Sequence, residues 1–188
     1  MRCFVAIEID EEIQKSLGTL QKELTRSADM RKGDVKWVRP NSMHLTLKFV
    51  GEATDKQIVE ICDIVKKVAQ RHDAFDMSIN QVGHFGGEGA RVLWVGAGLD
   101  SAPLLKLQED LEQELAQAGW PPENRKFSGH LTLCRIRNAQ AGLKLAQLTE
   151  KYQDFDLGSV RCDSLCVFES RLSPEGPEYT PLGRFKLL

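Results

Sequence analysis

No run of apolar residues in this chain approaches the roughly 20 needed to cross a bilayer as a helix. The longest near the start, within MRCFVAIEID, covers five residues before Glu8, too few for a signal peptide's core. Aromatics are sparse, at 7% of 188 residues, and low-complexity tracts and long linkers are missing. Cysteine occurs five times (Cys3, Cys62, Cys134, Cys162, Cys166), never as Cys-x-x-Cys. An odd, scattered set argues against a disulfide framework and a zinc ribbon, and for reduced, mostly buried thiols in a reducing cytoplasm. Charge of one sign is also lacking: 25 basic residues stand against 27 acidic ones, a net of −2. Bulk binding to nucleic acid or membrane is therefore not expected, and any polyanion must meet a local basic patch. With 41% hydrophobic and 28% charged residues, the chain can bury a core without staples, as one domain or two small lobes.

What is present is periodic. Residues 2–9 (RCFVAIEI) read as a buried strand, after which Asp10 can cap a helix carrying Ile13, Leu17, Leu20 and Leu24 on one stripe. VKWV (35–38) and the break Pro40-Asn41 lead into SMHLTLKFVG, which Gly51 ends. Thr54 and Gln57 have the form of a capping box ahead of a helix with Ile58, Ile61, Val65, Val68 and Ala69. Strand-like segments at 77–82 and 91–97 flank GHFGGEGA, and Pro103 and Gly119 bracket a third helix with Leu104, Leu107, Leu111 and Leu115. A strand at about 127–136, a short helix near 141–151 and strands near 158–168 and 179–187 complete the order. Strands and helices intersperse without regular β-helix-β spacing, so the expected class is α+β with mainly antiparallel sheets and outer helices.

One hexapeptide occurs nearly twice. Ser42-Met43-His44-Leu45-Thr46-Leu47 returns 86 residues later as Ser128-Gly129-His130-Leu131-Thr132-Leu133, five of six positions matching. Two copies suggest two similar lobes facing each other about an approximate two-fold axis, and are too few for a solenoid. On a strand, His44, Thr46 and Lys48 share one face while Leu45, Leu47 and Phe49 share the other. His130 and Thr132 likewise oppose Leu131 and Leu133. Two such polar faces brought together give a cleft with two imidazoles and two hydroxyls.

That set suits in-line displacement at phosphorus. One neutral imidazole takes a proton from water, one protonated imidazole gives a proton to the departing oxygen, and threonine hydroxyls donate to the non-bridging oxygens. No metal or other cofactor is required. Lys36, Arg39, Arg125 and Lys126 precede the two copies and Arg135 follows the second, a source of local positive potential. Other readings are weaker. A metal site lacks further ligands at strand or helix spacing, since threonine ligates poorly. Cys134 as a nucleophile has no counterpart in the first copy, where Lys48 stands. GHFGGEGAR (83–91) lacks the Gly-Lys-Ser/Thr ending of a phosphate loop and reads as a hairpin turn. Trp37 and Phe4 offer rings for a base, although strand aromatics more often pack. His72 and His84, each alone, read as residues without chemistry.

The paired His-x-Thr-x motifs resemble the two-histidine (2H) phosphoesterase superfamily. HLTLKFVGE (44–52) with HLTLCR (130–135) is similar to its RNA 2′,3′-cyclic phosphodiesterase branch, historically called 2′-5′ RNA ligase. RCFVAI, VKWV, GHFGGEGARVLWVG and FESRLSPEGPEYTPLGRFKL extend the likeness along the whole chain. The resemblance implies a single domain over 1–188 of two intertwined lobes, carrying the motifs at 44–47 and 130–133 across a central cleft. It implies metal-independent hydrolysis of RNA 2′,3′-cyclic phosphate ends, or of cyclic nucleotides, to a 2′-phosphate, by a monomer with no membrane partner. His44 maps to the proton donor for O3′ and His130 to the acceptor from water. Thr46, Thr132 and Arg135 map to phosphate binding, with Phe4, Lys48 and Lys126 as possible substrate contacts. Strict alternation puts Arg135 on the leucine face, so it reaches the site only if the strand bends or bulges near Cys134, or if its stem wraps over the edge. Two rivals remain: RNA ligation through the same acid-base pair, and a non-catalytic nucleotide- or RNA-binding module.

Overall fold

The computed structural model describes residues 1–31, 33–174 and 176–188. The elements run β1 (Arg2–Glu8), α1 (Glu11–Ser27), β2 (Val35–Trp37), β3 (His44–Glu52), α2 (Asp55–Ala69), β4 (Phe75–Phe85) and β5 (Val92–Ala97). They continue with α3 (Ala102–Gln117), β6 (His130–Ile136), α4 (Ala139–Thr149), β7 (Asp156–Cys162), β8 (Ser164–Ser173) and β9 (Gly176–Lys186). Local chemistry sets several boundaries. Thr54 and Gln57 exchange both bonds of a capping box at the start of α2, and Ser101 accepts from the Leu104 amide at the start of α3, with Pro103 in the first turn. Asp10 occupies the N-cap of α1 in an extended conformation without a side-chain bond. Gly86 and Gly87 take positive φ in the β4–β5 turn, where the Gly-rich stretch closes a hairpin.

Two sheets result, of order β3-β1-β8-β9 and β2-β6-β5-β4-β7, with every pair antiparallel. Their internal order is alike. Motif strand β3 lies beside β1, then β8 and β9; motif strand β6 lies beside β5, then β4 and β7. In each half a strand, a helix, the motif strand and a second helix come in the same order, with β2 intervening in the first: β1-α1-β3-α2 and β5-α3-β6-α4. The first sheet is built from both ends of the chain and the second mainly from its middle, which intertwines the halves. Leu17, Leu20 and Leu24 of α1, Ile61 and Val65 of α2 and Leu104, Leu107, Leu111 and Leu115 of α3 join one continuous core with the inward residues of both sheets. Burying these stripes drives the helices onto the sheets.

The segment read as one strand at 158–168 is two. The chain changes sheet at Asp163, β7 pairing with β4 in the second sheet and β8 with β1 in the first. A run of β-type residues carries no mark of such a crossing, because both strands bury the same kind of side chain. The last strand also begins earlier than expected, at Gly176, and pairs with β8 along its whole length.

Candidate active site

Both motif strands carry the same irregularity. Against β1, Thr46 pairs with Ala6 and Lys48 with Val5, leaving Leu47 as an extra residue; against β5, Thr132 pairs with Trp94 and Cys134 with Leu93, leaving Leu133 extra. These are β-bulges, and each reverses the facing of the residues directly after it. The burial sequence is the same in both copies. Positions one and three (His and Thr) are half-buried, positions two, four and five are buried, and position six is exposed.

Lys48 is thereby corrected out of the substrate contacts. It is 5% exposed on the leucine side, where its ammonium donates to Glu112 of α3 and to the Pro121 carbonyl. Phe49, expected on the core face, is 65% exposed on the site face instead. The second bulge buries Cys134 and swings Arg135 to the face of His130 and Thr132, so of the two routes for Arg135 the structure takes the bulge. Burial pushes the Cys134 thiol up to about 12, which leaves it un-ionised and unsuited to attack.

Each imidazole is fixed by its own backbone. His44 Nδ1 lies 3.0 Å from the Ser42 carbonyl and His130 Nδ1 lies 2.7 Å from the Ser128 carbonyl. A carbonyl only accepts, so Nδ1 carries the proton in both rings and Nε2 is left for the cleft. The surroundings differ. His44 stacks on Phe4 at 4.7 Å, with Tyr179 edge-on at 4.9 Å and Phe168 at 6.0 Å. That burial lowers its pKa to about 4, the Ser42 carbonyl opposing the shift only in part. His130 meets Phe85 edge-on at 5.0 Å and Trp94 at 6.4 Å. Phe4 itself is 3% exposed, so it backs His44 and offers no open face to a base. Trp37 packs against the core.

The halves meet at these strands. Cα atoms of β3 and β6 approach within 8 Å, and the Val38 amide, on the lead-in to the first motif, donates to the Leu133 carbonyl in the second at 2.9 Å. Burial raises the Tyr179 phenol, while the charges of Arg135 and Arg39 counter the rise. Arg135 on the His130 side thus acts on the ring that abuts His44. Arg125 and Lys126 stay exposed on the segment leading into β6. His72 pairs with Asp110 at 3.0 Å and His84 bonds Gly87 and Thr149, structural roles for both. Among the described residues no group of three or more His, Cys, Asp or Glu is placed to hold a metal ion, and no helix is long and apolar enough to cross a membrane.

Sequence reading missed Tyr179, Phe168, Phe85 and Trp94 around the imidazoles. They come from strands distant in sequence, and only cross-strand register brings them in; Trp94 opposite Thr132 is the plainest case.

The comparisons agree with this geometry. The family model for LigT-like phosphoesterases matches residues 7–94 and 99–179. The RNA 2′,3′-cyclic phosphodiesterase of Methanothermobacter thermautotrophicus is 32% identical over 188 residues, covering 100% of this chain and 99% of its own. The protein of the same name from Thermotoga maritima is 32% identical over 184 residues, covering 97% and 93%. The crystal structure of TT0787 from Thermus thermophilus superposes with a TM-score of 0.79 at 25% identity, covering 100% of this chain and 98% of that one. With both motifs inside the matched segments and the fold shared end to end, this chain belongs to the LigT-like phosphoesterase family.

Proposed function

We propose that this protein is an enzyme that hydrolyses the 2′,3′-cyclic phosphate of RNA ends to a 2′-phosphomonoester, with His44 as proton donor and His130 as proton acceptor. One observation carries the proposal: two half-sites of the same construction, each an Nδ1-anchored imidazole beside a threonine hydroxyl, sit on strands that close on one another. The names of the relatives support the substrate class.

The chemistry follows from the groups. His130 Nε2 removes a proton from water as its oxygen bonds to phosphorus; the P–O3′ bond breaks opposite, and His44 Nε2 delivers a proton to O3′. Thr46 and Thr132 hydroxyls and the Arg135 guanidinium hold the non-bridging oxygens, where charge accumulates. Every group in this scheme is a side chain, so the reaction is assigned no metal. One chain supplies both half-sites, which suits a monomer, and five free thiols suit a reducing cytoplasm.

The test is product analysis of an oligonucleotide ending in a 2′,3′-cyclic phosphate, with EDTA present. A 2′-phosphate end is expected. His44→Ala and His130→Ala should each lose two or more orders of magnitude in turnover, each proton transfer being worth roughly 10²–10⁴. Activity abolished by chelation, or intact in either variant, overturns the mechanism. A joined product when a 5′-hydroxyl strand is added would mark the ligase, and binding without turnover the non-catalytic module.

A further inference from the structure

We infer that Gln21 and Gln108 are a crossed pair of positioning residues, each standing on the helix of one half and holding the bulged leucine of the other half's motif. Gln21, on α1 after β1, is 7% exposed and donates through Nε2 to the Leu133 carbonyl at 2.9 Å and the Val38 carbonyl at 2.8 Å. Gln108, on α3 after β5, donates through Nε2 to the Leu47 carbonyl at 3.4 Å and lies 3.5 Å from Glu112 Oε2. Leu47 and Leu133 are the two extra residues of the bulges. The glutamines are 87 positions apart and the motif histidines 86, so the crossing belongs to the duplicated plan.

The physical need is local. A bulge takes its extra residue out of the ladder with its neighbour; the Leu133 carbonyl accepts there from the Val38 amide at 2.9 Å, and Gln21 Nε2 fills its second lone pair. A primary amide has two N–H protons, enough for Gln21 to bridge Val38 and Leu133 at once; a hydroxyl has one and a carboxylate none. Val38 lies on the approach to His44 and Leu133 lies between Thr132 and Cys134. One side chain therefore reinforces the Val38–Leu133 backbone bond that ties the entry of the first motif to the bulge of the second. The bulge in turn decides which of Cys134 and Arg135 faces the cleft. Gln21 touches no reacting atom; it acts through Arg135 and the spacing of the halves.

The inference rests on the proposed function, and its test separates the two. Gln21→Met keeps the volume and removes both donors. In its crystal structure the bulge at Leu133 should relax and Arg135 leave the His130 face, an outcome that needs no activity. Turnover of a 2′,3′-cyclic nucleotide should fall roughly ten- to a hundredfold, the scale of a misplacement near 1 Å. In a double-mutant cycle most of that loss should vanish in the Arg135→Ala background, whereas a merely structural glutamine would multiply with it. If Gln21→Met does not fold, Gln108→Met, whose bond is longer and less buried, puts the same question to the Leu47 bulge, where a relaxed bulge should return Phe49 to the core side and an unchanged one overturns the inference. An unchanged bulge with Arg135 in place, kinetics within twofold of the parent, or losses that multiply would overturn the inference. A parent protein without hydrolysis would instead defeat the function, with the crystal structure still deciding the glutamines.

Discussion

In the free protein His44 should be neutral across the physiological range and should gain its proton only when a phosphate occupies the cleft. Contact with Phe4, Phe168 and Tyr179 shields the ring from water and lowers its pKa to about 4. Charging it at pH 7 then costs about 4 kcal/mol, at about 1.4 kcal/mol per pH unit. One negative charge about 4 Å away, at an effective dielectric near 20, returns about 4 kcal/mol. The two nearly cancel, so the bound phosphate should move the His44 titration up toward neutrality, where the ring can act as donor. NMR of imidazole-labelled protein, titrated with and without a nucleoside 2′-monophosphate, reads this directly. The kinetic counterpart is that kcat/KM, which reports the free enzyme, should start its alkaline decline at lower pH than kcat. A His44 that titrates near 6.5 in the free protein would refute the burial argument. One that stays neutral at pH 7 under saturating ligand would refute its role as donor and reverse the two histidines.

Two further outcomes concern stability. Glu112→Ala strands the Lys48 ammonium, whose side chain is 4% exposed, and should cost about 3–5 kcal/mol, seen as a drop of roughly 2 M in the urea midpoint. Adding Lys48→Met should recover much of it, and a midpoint unmoved by Glu112→Ala would show that the ammonium finds water. Because the His44 pKa is lowered in the folded state, its contribution is complete above pH 6.5 and is lost as pH falls toward 4. Between pH 7 and pH 5 the native protein should therefore lose about 2 kcal/mol more stability than His44→Gln, measured by urea unfolding at each pH. Parallel losses would remove the basis for a depressed pKa.

The amino-acid sequence alone determined the repeat, its two histidines and threonines, the helical stripes, the capping box at Thr54 and the hairpin at 83–91. Each is a local pattern whose physical meaning is set within a turn or a strand. Register decided the rest. Alternation assumes an unbroken ladder, and a bulge is a property of two strands, so Lys48 and Arg135 exchanged faces with what one strand implied. The sheet change at Asp163 likewise shows only in the pairing, β7 with β4 and β8 with β1. The different fates of two histidines in matching motifs, one walled by Phe4, Phe168 and Tyr179 and one beside Phe85 and Trp94, came from strands that only the tertiary fold brings together. Sequence names the groups that can do chemistry; desolvation and register, which depend on neighbours remote along the chain, decide the state in which they meet a substrate.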